Sequence, residues 1–475
     1  MCNINIHRSQ LSALVVGMFI GVCVHAAEDS NQTAALIKRG AYLATASDCV
    51  ACHTAPNGKP FAGGLPISTP VGVIYSKNIT PSMDKGIGHY AEEEFSRALR
   101  LGVRRDGANL YPAMPYTSYA RFTDADTRAL YAYFMHEVKP VDATEPSTSL
   151  PFPMNMRASM TIWNLLFLDK KPYALQPKHS VEWNRGAYLV QGAAHCSACH
   201  TARGFLMQED ASRELSGAQV GPWNAPNITS DSVSGIGSWT KEELVEYVRS
   251  GRVAGKAQAA GSMGEAVERS FQYLDAADID AIATYVKSVP AIRDAADLRT
   301  RFTAGKMSSN LATLRGTDGI LSANDGSPSG AELFQGSCAS CHSAQGEGSK
   351  DGYYPSLFHN SVTGARHPNN LIAAVLYGVD RKTPDGQAFM PGFGGKPADA
   401  MQLSNRDIAL LSNYVLKQYG DADATVTEED VAVVRRGGLS SNLVALVRGG
   451  MAAGAVVILL IATVFVARRR RGCAP

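Results

Sequence analysis

Three short runs in this chain carry thiol and imidazole groups at a spacing that can do chemistry. Cys49, Cys52 and His53 form a C-x-x-C-H pattern, Cys196, Cys199 and His200 a second, and Cys338, Cys341 and His342 a third. On a helical turn, positions i, i+3 and i+4 share one face. That face offers two thiols for thioether bonds to a porphyrin edge and one imidazole for its iron, the pattern of covalent c-type haem attachment. With 9 Cys and 11 His in 475 residues, chance yields about 0.004 such matches. Zinc held by Cys-x-x-Cys needs a further Cys or His pair nearby, and none follows any of the runs. The reading is three covalently bound haem c groups, each with an iron.

His53, His200 and His342 supply one face of each iron, and the opposite face decides the chemistry. A methionine there closes the iron for electron transfer, whereas an open face permits peroxide or oxygen chemistry. Of 14 methionines, position singles out Met114, Met263 and Met390. Each stands 12 residues after a glycine (Gly102, Gly251, Gly378), and they follow their histidines by 61, 63 and 48 residues. Met207 is too near His200, Met83 has Ser232 as its counterpart, and Met401 breaks the glycine rule. Met263 precedes Gly264, whereas Met114 and Met390 precede prolines, so its loop departs from the other two. A haem enzyme such as a periplasmic peroxidase is the rival reading. It requires an accessible iron, or a spare cysteine as ligand.

Repetition shows which elements must position these groups. RGAYLATASDCVACHTA and RGAYLVQGAAHCSACHTA are near copies; Asn78-Ile79-Thr80 and Gly86-Ile87-Gly88 recur 149 residues on. AEEEFSRALRLG, TKEELVEYVRSG and LIAAVLYG have helical apolar spacing and stop at the three glycines. A further helix closes each unit, with Asp126, Asp278 and Asp407 each seven residues before Tyr133, Tyr285 and Tyr414. A carboxylate suits a first helical turn. Strand patterning is scarce, so an all-α fold is expected.

The ends bound the rest. Residues 1–26 read as a signal peptide, with an N-terminal anchor as the alternative. Gly449–Ala467 is an uncharged run of about 28 Å as a helix, enough to span a membrane; an interfacial helix is the runner-up. Arg468–Arg471 keeps its end cytoplasmic by the positive-inside rule. Residues 27–447 then carry 39 basic and 43 acidic residues, no surplus to suggest nucleic acid. The chain divides into haem units at 27–140, 182–292 and 329–420. Linkers occupy 141–181 and 293–328, a tether 421–448, the transmembrane helix 449–467 and a cytoplasmic tail 468–475. Trp163 and Phe167 in the first linker are expected to pack between units, while the polar second linker leaves the third unit less rigidly placed.

With KNITPSMDKGIG, YPAMPYTSY, PFPMNMRASMTIWNLLF, PNITSDSVSGIGSWTKEEL and CASCHSAQGEG, these motifs resemble the membrane-bound triheme cytochrome c subunit of bacterial periplasmic dehydrogenases. That family serves quinoprotein alcohol dehydrogenase and flavin-dependent gluconate or sorbitol dehydrogenases. The resemblance implies three tandem class I cytochrome c-like domains and electrons taken from a separate catalytic subunit holding PQQ or FAD. It also implies ubiquinone in the inner membrane as acceptor, with no substrate-oxidising site on this chain. The three histidines and three methionines match the family's ligand positions. Delivery to a terminal oxidase is the alternative, and the substrate is left open.

Overall fold

The structure is a computed structural model that describes residues 31–309, 328–397, 399, 401–439 and 441–471. The expected signal peptide, the stretch 310–327 of the second linker and residues 472–475 of the tail lie outside these.

Each unit is built on two crossing helices. The leading helix ends at the C-x-x-C-H run: 31–46, Val181–Tyr188 (prolonged by a π-turn, Leu189–Ala193) and Gly330–Ser337. The closing helices are Asp124–His136, Ala276–Ser288 and Asn405–Tyr419. Gly40, Gly186 and Gly330 sit at the crossings. A Cβ on Gly186 or Gly40 would lie 1.9 Å from the carbonyl oxygen of Ala281 or Ala129, and one on Gly330 2.4 Å from that of Leu410. Tyr133, Tyr285 and Tyr414 pack at these same points, so the tyrosines singled out by spacing are helix-crossing residues. Between the pairs lie the middle helices Glu92–Leu101, Lys241–Ser250 and Asn369–Tyr377, each ended by its glycine at positive φ.

The expectation of an all-α chain is only partly met. Helices carry the core, but among the described residues four antiparallel hairpins join them: Pro66–Thr69 with Gly72–Tyr75, Ala218–Val220 with Trp223–Ala225, Arg252–Val253 with Ala257–Gln258, and Val379–Thr383 with Gly386–Met390. These strands span two to five residues, too short for a period-two pattern to register.

The repeated loops are staples. Asn78 Nδ2 donates to the Val141 carbonyl at 2.7 Å and the Val141 N–H donates to Thr80 Oγ1 at 3.1 Å; Asn227 and Thr229 hold Ile292 in the same way. Gly86, Gly88, Gly235 and Gly237 press on the backbone of the same loops, leaving no room for a side chain.

One apolar core runs through the first and second units, and the third has its own. Trp163 packs on Tyr116 of the first unit and donates Nε1 to the Leu206 carbonyl of the second at 2.9 Å, with Phe167 beside it. The second linker differs from expectation, because its described part is fastened to both neighbours. Phe302 and Ala304 are buried, Arg366 reaches Asp294 at 2.9 Å, and the His359 N–H donates to the Ala304 carbonyl at 2.9 Å. The tether is not free either. Its helix Glu428–Arg435 buries Val431 and Val434 against the third unit, and Tyr377 donates to the Val434 carbonyl at 2.6 Å. The apolar C-terminal run lies within a longer helix, Leu443–Arg471, whose described side chains are almost all exposed. Arg448 at its head donates to the Phe152 carbonyl at 2.7 Å.

Candidate haem-binding sites

Each motif folds as one helical turn, Cys49–Cys52, Ser197–His200 and Ala339–His342, so its thiols and imidazole share a face. The imidazole Nδ1 of His53 lies 2.6 Å from the Lys77 carbonyl, that of His200 2.7 Å from Pro226, and that of His342 3.0 Å from Pro355. A carbonyl only accepts, so Nδ1 carries the proton and the Nε2 lone pair is left for a metal. Burial lowers the pKa of all three imidazoles, holding them in the neutral, ligating form. Burial also pushes the Cys49, Cys52, Cys196 and Cys338 thiols up to about 12 and raises Cys199. No described cysteine is in a disulfide, and no group of three or more His, Cys, Asp or Glu among the described residues could hold a metal ion by itself. The donor set fits covalent haem.

Met114, Met263 and Met390 are half-buried, the first two packed on the core shared by the first and second units and the last on the core of the third, whereas Met401 and Met83 are 51% and 56% exposed. The three lie in different local structures. Met114 precedes the turn Tyr116–Tyr119, Met263 is the third residue of the helix Gly261–Arg269, and Met390 ends the strand Gly386–Met390. The departure expected at Met263-Gly264 is thus a helix in place of an extended loop.

A reciprocal lock joins the first two units. Arg39 pairs with Asp126, and Arg185 with Asp278 through Nε at 2.7 Å and Nη2 at 2.6 Å. Each carboxylate also accepts a phenol from the other unit, Tyr42 donating to Asp278 at 2.6 Å and Tyr188 to Asp126. Burial raises the Asp278 pKa, but the bonds from Arg185 and Tyr42 outweigh it and hold the carboxyl below its ordinary range. These aspartates do stand in first helical turns, as expected, yet their main work is across the seam. Sequence reasoning missed this function, although its signal was printed twice as Arg-Gly-Ala-Tyr-Leu. The third unit has Gly330-Ala-Glu-Leu instead, and Asp407 forms only a reciprocal cap with Ser404.

The lock sets motif against motif. The helix bearing Met263 packs on the turn Cys49–Cys52, and the turn after Met114 packs on Leu189–Ala193 ahead of the second motif. Cys52 and Cys199 lie within electrostatic reach of each other, and the Tyr119 ring is 5.7 Å from that of His195. The third unit joins through its hairpin on the helix Gly261–Arg269 and through Asn370, which exchanges hydrogen bonds of 2.7 and 2.8 Å with the Asn224 backbone.

Comparison with known proteins agrees with this architecture. The sequence pattern of the cytochrome c family matches residues 37–137, 184–290 and 328–418. The fructose dehydrogenase cytochrome subunit of Gluconobacter japonicus is 50% identical over 423 residues, covering 87% of this chain and 86% of that one. The gluconate 2-dehydrogenase cytochrome c subunit of Pantoea cypripedii is 39% identical over 433 residues (89% and 95%). The cytochrome c subunit of quinone alcohol dehydrogenase from Gluconacetobacter polyoxogenes is 37% identical over 445 residues (91% and 90%).

Proposed function

The chain belongs to the cytochrome c family, and from that premise we propose that it is the electron-transfer subunit of a quinone-linked dehydrogenase complex. It carries three haem c groups, one per unit. A haem iron held by His and Met exchanges single electrons without taking a substrate. Lys77, Pro226 and Pro355 fix the imidazoles, Met114, Met263 and Met390 would close the irons, and the Arg39–Asp126 and Arg185–Asp278 lock holds the first two haem-binding units together. The packing across that lock of the Cys49–Cys52 turn on the helix bearing Met263, and of the turn after Met114 on the segment leading into the second motif, is the observation that carries the reading, since a relay needs short gaps between centres.

The relatives named above support a catalytic partner oxidising a sugar, aldonate or alcohol, and the motif resemblance implies PQQ or FAD as that partner's cofactor. The helix Leu443–Arg471, apolar from Gly449 to Ala467 and ended by arginines, supports a single inner-membrane span with the haem units periplasmic, and the motif resemblance implies ubiquinone as acceptor. The test is purification from the native membrane with whatever stays bound, followed by addition of fructose, gluconate, alcohols and aldehydes. Haem reduction by one of these in the presence of a co-purifying subunit is the expected result. If no dehydrogenase subunit co-purifies and no substrate reduces the haems, the reading fails.

A further inference from the structure

Arg381 lies in the hairpin of the third unit but is buried in the second. It is 3% exposed, donates Nη1 to the Ala259 carbonyl and Nη2 to Gln258 Oε1 at 3.0 Å, and makes no ion pair with any described carboxylate. Its Nε has no acceptor. A guanidinium removed from water wants an anion beside it. Gly251 makes room for it, since a Cβ there would stand 2.7 Å from that Nε.

Two more buried donors without acceptors converge on the same place, Trp239 Nε1 and Arg301 Nε. The Trp239 ring lies 5.5 Å from Tyr247. Arg381 lies against Gly251, whose N–H donates to the Tyr247 carbonyl at 2.8 Å, and Arg301 lies 5.2 Å from the Phe302 ring, itself 5.3 Å from that of Trp239; both charges also act on the Tyr247 phenol, and that of Arg301 on His200. Three donors around one tyrosine, beside one haem-ligating histidine, describe a site for carboxylate. The first unit is built differently: Tyr90 and Ala98 stand at the positions of Trp239 and Tyr247, and its buried guanidinium nitrogens without acceptors are those of Arg97 and Arg100 on its own middle helix.

We propose that Arg381 of the third unit completes the donor set that receives the propionate carboxylates of the second unit's haem. The inference rests on haem attachment at Cys196 and Cys199. It gives one hairpin two duties: its last residue, Met390, serves the third iron, and Arg381 sets the charge around the second haem. A buried cation there would offset the propionates' negative charge, which opposes adding an electron to the iron, and so would raise that haem's potential.

The test is Arg381→Gln in the full-length membrane protein, with haem content and a potentiometric titration of all three haems. Three haems by content with one midpoint potential shifted down is the expected result; Arg381→Lys restores most of it. Asn370→Ala loosens the same seam without removing charge and is expected to leave all three potentials in place. Unchanged potentials in Arg381→Gln, or an equal shift in Asn370→Ala, overturn the proposal. A haem content below three in the unsubstituted protein would instead sink the reading beneath it.

Discussion

At the residue scale, the proximal sites rest on one repeated device: a C-x-x-C-H turn whose histidine is fixed by a backbone carbonyl. The methionines proposed to face them are less constrained, since Met114, Met263 and Met390 occupy a turn, a helix and a strand end. Replacing Met114 by alanine is expected to open its iron. That haem should then bind carbon monoxide and its potential should fall, read by difference spectroscopy and redox titration. An unchanged spectrum would assign the position to another residue. The Asp278 carboxylate makes a second prediction. Its pKa is lower folded than unfolded, so its stabilisation is complete above the unfolded value of about 4 and fades as pH falls through the folded one. Denaturation curves should show the seam weakening only in acid. Asp278→Asn should abolish that dependence and cost about 2 kcal/mol, less than a fully buried pair because Arg185 is one-third exposed.

At the scale of elements, the helix crossings have no slack. Gly330 and Gly336 lie in the same leading helix, but only Gly330 faces a backbone carbonyl, at 2.4 Å from an added Cβ; nothing lies within 4 Å of Gly336. Gly330→Ala should therefore destabilise the third unit by about 1–3 kcal/mol through overpacking. Gly336→Ala should be neutral or stabilise by up to about 1 kcal/mol through helix propensity. Chemical denaturation followed at the haem band reads both. Equal effects would mean that the crossing can relax.

At the scale of the molecule, the units are unequal partners. The first two share a core and a reciprocal lock, while the third is attached by its hairpin, the second linker and Asn370. Urea unfolding is accordingly expected in two transitions, with the third unit separable from a cooperative pair. Arg39→Gln with Arg185→Gln should split the pair further, and a single shared transition in the variant would count against the lock. Removing residues 443–475 should release the protein from the membrane with all three haems retained.

Periodicities and spacings reached far on their own. Three C-x-x-C-H runs fixed the cofactor, because the attachment chemistry is local and five residues contain it. Glycines at the ends of the middle helices were equally legible, because positive φ selects glycine whatever the surroundings. The hairpins were not, since two to five residues leave no pattern. Nor was the partner of Asp126, which lies 62 residues away on Tyr188. Only the tertiary structure decided that Arg-Gly-Ala-Tyr-Leu, read twice as a prelude to haem attachment, is also the two-fold seam between units. Long-range pairing depends on which helix faces meet, and a side chain's type does not state its neighbour.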